Sequence, residues 1–468
     1  MSAPSGFPAS VRSHHLFPTS GDVRRLWSLA LPVVVVQLGM MLMGVVTTVM
    51  VGHVSATDLA AAALGNLCFV WLALLGWGTL MGLDPIVAQA HGADDREAVA
   101  RGVQRGVVLA AGAGVVTALL FLPVRPALVL LRQPADVVPL AARYLEVSIP
   151  GIFPFFLFLV LRQSLQAMGR MRAIVLTILG ANALNAALGW ALVFGHLGSP
   201  ALGVVGAGLA ATVSRFAMGL GLLALAWRDL RPLLRPVRRE ALDPAALARV
   251  LRLGVPIGLQ MQLEYGIFAL VALLMGRLGT VPMAAHQIAL TVASVTFMVP
   301  QGVGGAAAVL VGQAVGAGDG PRARRAAAAS LGAGAGFMLL AGLALVALPG
   351  PLARLFSAEA PVLAVATLLL PIAGVFQVFD GLQVVSIGVL RGVGDTRAPV
   401  VLNVLGFWLL GLPASLWFGF GLGGGAAGLW WGLVVGLVAV ALSLLARVRQ
   451  QLGRPLARVA VDGAAAAV

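Results

Sequence analysis

The chain has 468 residues, of which 60% are hydrophobic and only 10% charged, with a mean hydropathy of +0.99. An ordinary soluble domain carries about 25% charge, and this much apolar surface could not be hidden inside a soluble fold. Soluble, disordered, collagen-like and disulfide-rich classes are therefore excluded. The formal charge of +14 comes from 31 arginines with no lysine, so nucleic-acid binding has to be weighed against where those arginines fall.

The first 25 residues lack an apolar core before Leu26. They do not read as a cleaved signal peptide. Apolar runs then follow at about 27–51, 60–88, 98–122, 137–163, 172–195, 202–226, 249–276, 284–312, 325–348, 362–388, 398–420 and 424–446. Each is long enough for a transmembrane helix, which needs about 20 residues. None shows the two-residue alternation of a membrane strand. The runs divide the chain into a cytoplasmic tail (1–25), an N-lobe of six spans (26–227), an Arg- and Pro-rich cytoplasmic linker (228–248), a C-lobe of six spans (249–447) and a second cytoplasmic tail (448–468). The only cysteine, Cys68, lies in an apolar run and reads as a packing residue.

Twelve spans put both ends on one side. The tails and even-numbered connections hold 24 arginines and the odd-numbered connections four, Arg125, Arg132, Arg277 and Arg354. By the positive-inside rule both termini are cytoplasmic. The same split accounts for the net charge without any nucleic-acid partner. The expected location is a bacterial inner membrane, crossed many times.

The two halves repeat at an offset of 224. Pro32 matches Pro256, Gly52 matches Gly276, Gly78 matches Gly302, and the segment Gln89 to Asp95 (QAHGADD) matches Gln313 to Asp319 (QAVGAGD). Six spans per half is an even number, so both copies run the same way through the bilayer. The expected fold is an all-α integral membrane protein, with twelve helices in two six-helix lobes related by a pseudo-two-fold axis along the membrane normal. Lobes so related commonly rock as rigid bodies to alternate access.

Four acids lie inside apolar runs: Asp84, Glu146, Glu264 and Asp380. An ionised acid at mid-bilayer costs about 2.5–3.5 kcal/mol or more, which makes it a functional candidate. Glu264 follows Arg252 by 12 residues, roughly 18 Å of helix, and Asp380 precedes Arg391 by 11, roughly 16 Å. The two therefore sit at similar depth. Gln260, Glu264 and Phe268 share one helix face, as do Phe376, Asp380 and Gln383. The repeat partners of the two acids are Met40, at the offset of 224, and Phe155, at an offset of about 225 in span ten, so the pair belongs to the C-lobe alone. Asp84 reads as a structural acid meeting a loop arginine. Glu146 is spaced for an ion pair with Arg143. His286 reads as a packing residue, and Arg215 snorkels or pairs. No nucleotide-binding or nucleophile motif is present, so an ion gradient is the expected source of energy.

Several motifs resemble the multidrug and toxic compound extrusion (MATE) family, in its NorM-type branch. They are the Pro32 opening of span one, its Val51-Gly52 end, GLDPIVAQAHGA (82–93), Asn182 to Asn185, AAHQIAL (284–290), MVPQGVGGAAAVLVGQAVGAGD (298–319) and LRGVGDTR (390–397). The resemblance spans about residues 25–445. It implies an antiporter that exports organic, mostly cationic compounds in exchange for Na⁺ or H⁺, with no cofactor. It also implies a cation site formed by a Glu of span seven and an Asp of span ten, here Glu264 and Asp380, the pair that depth alone selects. These two would ligate Na⁺ if sodium is the coupling ion. Two positions depart from the family pattern. Thr47 stands where an Asp is usual in span one, and Phe376 stands where a Tyr is usual in span ten.

The expected mechanism has Glu264 and Asp380 as the coupling pair. Gln260, Phe268, Gln287, Phe376, Gln377 and Gln383, together with Gln37 and Thr47 of span one, are expected to line the cavity. The expected partners are small organic cations and the lipid bilayer, with the protein acting as a monomer and not as an enzyme. A flippase for lipid or lipid-linked oligosaccharide is the rival reading, separated by its cationic cavity. An intramembrane enzyme using the acid pair is a second rival, opposed by the tandem repeat.

Overall fold

The structure, a computed structural model, describes residues 17–461. Most of the expected N-terminal tail (1–16) and the last seven residues (462–468) lie outside the described residues. Among the described residues, twelve helices are long and apolar enough to cross a membrane. In chain order they are α1 (Ser20–Gly52), α2 (Ala56–Gly92), α3 (Arg96–Phe121), α4 (Val137–Ala167), α5 (Met171–Phe194), α6 (Gly203–Leu225), α7 (Pro244–Leu278), α8 (Thr280–Gly316), α9 (Gly320–Ala347), α10 (Ala360–Val393), α11 (Arg397–Gly421) and α12 (Gly425–Leu452). The twelve spans read from hydropathy are thus all helices, most of them longer than their apolar stretch. Both tails and the linker are shorter than the sequence suggests. The α1 helix starts at Ser20, inside the expected tail, because Thr19 and Asp22 form a reciprocal cap. The linker carries a short helix (Trp227–Leu234), and α7 begins at Pro244, capped by Asp243.

Irregular backbone is confined to a few places. The α2 helix breaks at Met81–Gly82. The α4 helix tightens into a 3₁₀ turn at Ile149–Gly151, where Pro150 removes a donor. The α11 helix carries two wide π-helical stretches, Val404–Gly411 and Trp417–Gly421. Pro32, Pro256, Pro300 and Pro371 lie inside continuous helices.

The repeat seen in sequence is visible as reciprocal contacts. In one lobe α2 ends in Gln89 to Gly92, and in the other α8 ends in Gln313 to Gly316. A Cβ added at Gly92 would strike the backbone of Gln313, and one at Gly316 would strike the backbone of Gln89. Each lobe presents the same patch to the other, as a two-fold axis requires. The crossings beside the axis obey the same rule: Gly78 of α2 lies on Gly258 of α7, and its repeat mate Gly302 of α8 lies on Val34 of α1. The lobes therefore meet along α1 with α8 and α2 with α7. Small residues at these crossings let the backbones touch, which is how helices associate without a hydrophobic driving force in lipid.

The polar groups at the Arg-rich end of this seam are paired across it. Gln89 Nε2 donates to the carbonyl of Gly392 at the end of α10, 2.9 Å. Gln313 Nε2 donates to the carbonyl of Ala167 at the end of α4, 2.7 Å. The two bonds are repeat images of one another. Asp95 and Asp319 likewise cap α3 and α9 identically, each at 2.9 Å. The segment after α12 runs along the same face. There Val459 N–H donates to Gln89 Oε1, 2.7 Å, Arg458 lies 3.4 Å from Asp95, and the carbonyl of Val461 accepts from Arg249. Cys68 is half-buried in apolar packing.

Candidate functional site

Glu264 sits midway along α7, roughly 30 Å from its start and 21 Å from its end at 1.5 Å per residue. Burial there has to be compensated, and three amides do so. Glu264 Oε1 accepts from Gln383 Nε2 of α10, 3.0 Å. Its Oε2 accepts from Gln260 Nε2 one turn earlier on α7, 3.3 Å, and from Asn403 Nδ2 of α11, 3.2 Å. A carboxylate has about four acceptor positions, so three of them are filled by neutral donors from three helices.

Asp380 lies on α10 one turn before Gln383. It is half-buried like Glu264, and its neighbour one turn on, Gln383, is the α10 residue that donates to Glu264. Among the described residues no side chain donates a hydrogen bond to Asp380. One acid of the pair is thus solvated by amides and the other is not.

Aromatic side chains close the site one turn away, on the side opposite the Arg-rich end. Phe268, one turn after Glu264, meets Phe376, one turn before Asp380, with ring centroids 6.0 Å apart. Phe376 in turn abuts Trp430 at 5.9 Å, and Phe268 abuts Phe407 at 6.3 Å. Because α7 and α10 run in opposite directions, this pairing puts the two acids at one level. Trp430 Nε1 donates to His286 Nδ1, 3.2 Å, so the proton of the neutral ring is on Nε2, which is buried without a partner.

The remaining candidates fall in different places. Gln260, Phe376 and Gln383 are 4%, 3% and 1% exposed, and Gln377 is fully buried with neither amide atom paired. They are buried in helix packing and do not form an open lining. Gln287 is exposed on α8 and makes no side-chain hydrogen bond to either acid. Gln37 is in the lobe seam, where it donates to Gln301 of α8 and accepts from Arg162 Nη2, 3.0 Å. Thr47 donates to its own helix at Met43, 3.0 Å, as a hydroxyl in a helix interior does.

One expectation about the other charges needs correcting. Arg143 and Glu146 are both exposed and form no pair, since each points outward from α4. Asp84 does meet an arginine that the sequence reading places in a connection, although the structure puts that arginine on helix α10. Its Oδ2 lies 3.0 Å from Arg391 Nη1, within the last turn of α10 and across the seam. Arg215 stacks its guanidinium 3.7 Å over the ring of Phe69, inside the N-lobe. Sequence reasoning missed Asn403, whose signal was a lone amide in an apolar span, and it missed Trp430, which looked like any apolar residue.

Two stretches, residues 32–191 and 256–417, match the MatE family. Their starts are 224 residues apart (256 − 32), the offset of the internal repeat. The chain is 37% identical over 447 residues to a probable multidrug resistance protein NorM of Rhizobium meliloti (strain 1021), covering 93% of this chain and 94% of that protein. It is 34% identical to the multidrug resistance protein MdtK of Edwardsiella ictaluri (strain 93-146), over 84% and 87% of the two chains. Among solved structures, the eukaryotic MATE transporter AtDTX14 superimposes with a TM-score of 0.83 at 24% identity, over 92% of this chain and 95% of that one. The Vibrio cholerae MATE transporter VcmN, in its bent form, does so with a TM-score of 0.83 at 20% identity, over 93% and 98%.

Proposed function

Since the chain belongs to the MatE family and is a multidrug efflux transporter, not an enzyme, we propose that it is a secondary antiporter. In this reading Glu264 and Asp380 exchange an inward-moving Na⁺ or H⁺ for an outward-moving organic cation. The observation that carries it is the unequal solvation of the two acids. Glu264 can stay ionised on its three amide donors, whereas Asp380, one turn from the Gln383 that bonds Glu264, has no side-chain donor among the described residues. Two close carboxylates cannot both remain charged and uncompensated, so a cation has to join them, chiefly on Asp380. A proton serves. So does Na⁺, a hard ion that takes oxygen ligands, and unpaired oxygens remain at Gln377 Oε1 and Gln383 Oε1 of α10 and at Asn403 Oδ1 of α11.

When the ion leaves, the restored charge attracts a cationic compound, with Phe268 and the interfacial pair Trp71 and Tyr265 (centroids 5.8 Å apart) as aromatic surface for it. Ion and drug compete for one charge, which makes the process an exchange. The 24-to-4 split of arginines supports cytoplasmic termini in an inner membrane. The paired seam at that end then corresponds to a state closed toward the cytoplasm. One chain supplies both lobes and both acids, so the unit is a monomer.

Proteoliposomes loaded with a cationic dye test the proposal, under a Na⁺ gradient alone and then a pH gradient alone. Export is expected under one of them, and neither Asp380→Asn nor Glu264→Gln should support it at wild-type expression. Wild-type export by both variants would falsify the assignment.

A further inference from the structure

The Arg-rich face holds a cavity of about 260 Å³ between the first turns of α7, the turn joining α10 to α11, and the segment after α12. Arg249, Arg252 and Arg397 line it, with Thr396 in the wall and Val459 and Ala460 closing one side. Its charge is positive. The one lining carboxylate, Asp395, is spent on Arg447 Nε and Gln451 Nε2, both at 2.7 Å. Arg249 is shared between Asp243, 3.8 Å away, and the Val461 carbonyl. Arg252 and Arg397 are exposed, and among the described residues neither has a partner. Thr396 is 3% exposed, and its buried Oγ1 has no hydrogen-bond partner. A buried hydroxyl left unpaired costs free energy, and this one belongs to a residue in the wall of a cationic cavity.

We propose that this cavity binds a phosphate group, either of an anionic lipid headgroup or of free phosphate. The chemistry fits on three counts. Phosphate oxygens take paired guanidinium donors in the planar geometry that arginine offers. The Thr396 hydroxyl supplies a further donor. A cavity of this size admits a headgroup but not a drug-sized molecule, and basic pockets between helices at the cytoplasmic surface suit lipid phosphates. The site goes beyond drug export and shares no residue with the carboxylate pair. It does touch the lobe seam, because Val459 in its wall also bonds Gln89 of the other lobe. An occupant therefore braces the segment that spans the two lobes.

The test uses the full-length protein purified in neutral detergent. Native mass spectrometry compares bound dimyristoylphosphatidylglycerol with dimyristoylphosphatidylcholine, and thermal unfolding compares sodium phosphate with sodium chloride at equal ionic strength. The Arg252→Gln/Arg397→Gln variant removes two surface-exposed charges, and its unfolding temperature in chloride checks that it folds. Thr396→Val removes the hydroxyl at nearly constant volume. Arg172→Gln, on the same face but outside the cavity, is the control. Phosphatidylglycerol binding that falls roughly tenfold or more in the double variant and not in the control identifies a lipid headgroup. A phosphate-dependent rise in unfolding temperature that is lost in the double variant, with no preference between lipids, identifies free phosphate. Lipid binding and phosphate response unchanged in both the double variant and Thr396→Val overturn the proposal.

Discussion

Asp84 of the N-lobe and Arg391 of the C-lobe form an ion pair of 3.0 Å across the lobe seam, with their side chains 10% and 9% exposed. Arg162, buried in the N-lobe, is bonded to Gln37, which bonds Gln301 across the same seam. One buried acid thus holds a buried arginine of the other lobe. Separating the lobes at this end has to break the pair and hydrate both charges.

Removing one partner of such a pair costs about 3–5 kcal/mol, because the other is left buried and uncompensated. Asp84→Asn should therefore lower the unfolding temperature or shift the protein toward the state open at this end. A cysteine placed at Gln89 in a Cys68→Ala background reports the shift as faster modification. Asp84→Asn/Arg391→Gln should recover part of the loss. If the double variant is no better than the sum of the singles, the pair carries no coupling.

The glycines at the axis give a symmetric prediction. Gly92→Val and Gly316→Val each push a side chain into the opposing glutamine's backbone. Overpacking of this kind typically costs about 1–3 kcal/mol, here only in the closed arrangement. Each factor of ten in population corresponds to about 1.4 kcal/mol, so closure should weaken roughly five- to 150-fold. The two variants should behave alike in an accessibility assay at this face and in transport rate. Unequal effects would mean that the axis does not relate the lobes functionally.

Asn403→Leu removes one of the three donors to Glu264. A hydrogen bond to a charged group contributes about 1.5–3 kcal/mol, and the empty, ionised site loses that stabilisation. The coupling cation should then half-saturate transport at a concentration roughly tenfold or more lower. The maximal rate should fall, since release becomes harder. Titration of transport against the driving ion in proteoliposomes measures both, and an unchanged midpoint would remove Asn403 from the site.

Deleting residues 454–468 takes away the bonds from Val459 to Gln89 and from Val461 to Arg249, along with the exposed Arg458–Asp95 pair. Such bonds are each worth about 1 kcal/mol or less net, so the expected change is a few-fold shift away from closure, without loss of folding. Distances between spin labels across the seam, before and after truncation, read it directly.

Membrane class, twelve spans, the gathering of the arginines at one end of the bundle, the repeat and the depth of Glu264 and Asp380 were all legible in the sequence. They follow from quantities that accumulate along the chain: hydropathy over about 20 residues, charge per connection, and rise per residue. The partners of each polar group were not legible. Asp84 meets Arg391 and Gln89 meets Gly392 across 307 and 303 positions, and Asn403 reaches Glu264 across 139. Such choices are made by which helices cross and by where glycine lets their backbones touch. In a chain whose spans all look equally apolar to their neighbours, only the packing of two lobes about an axis could decide them.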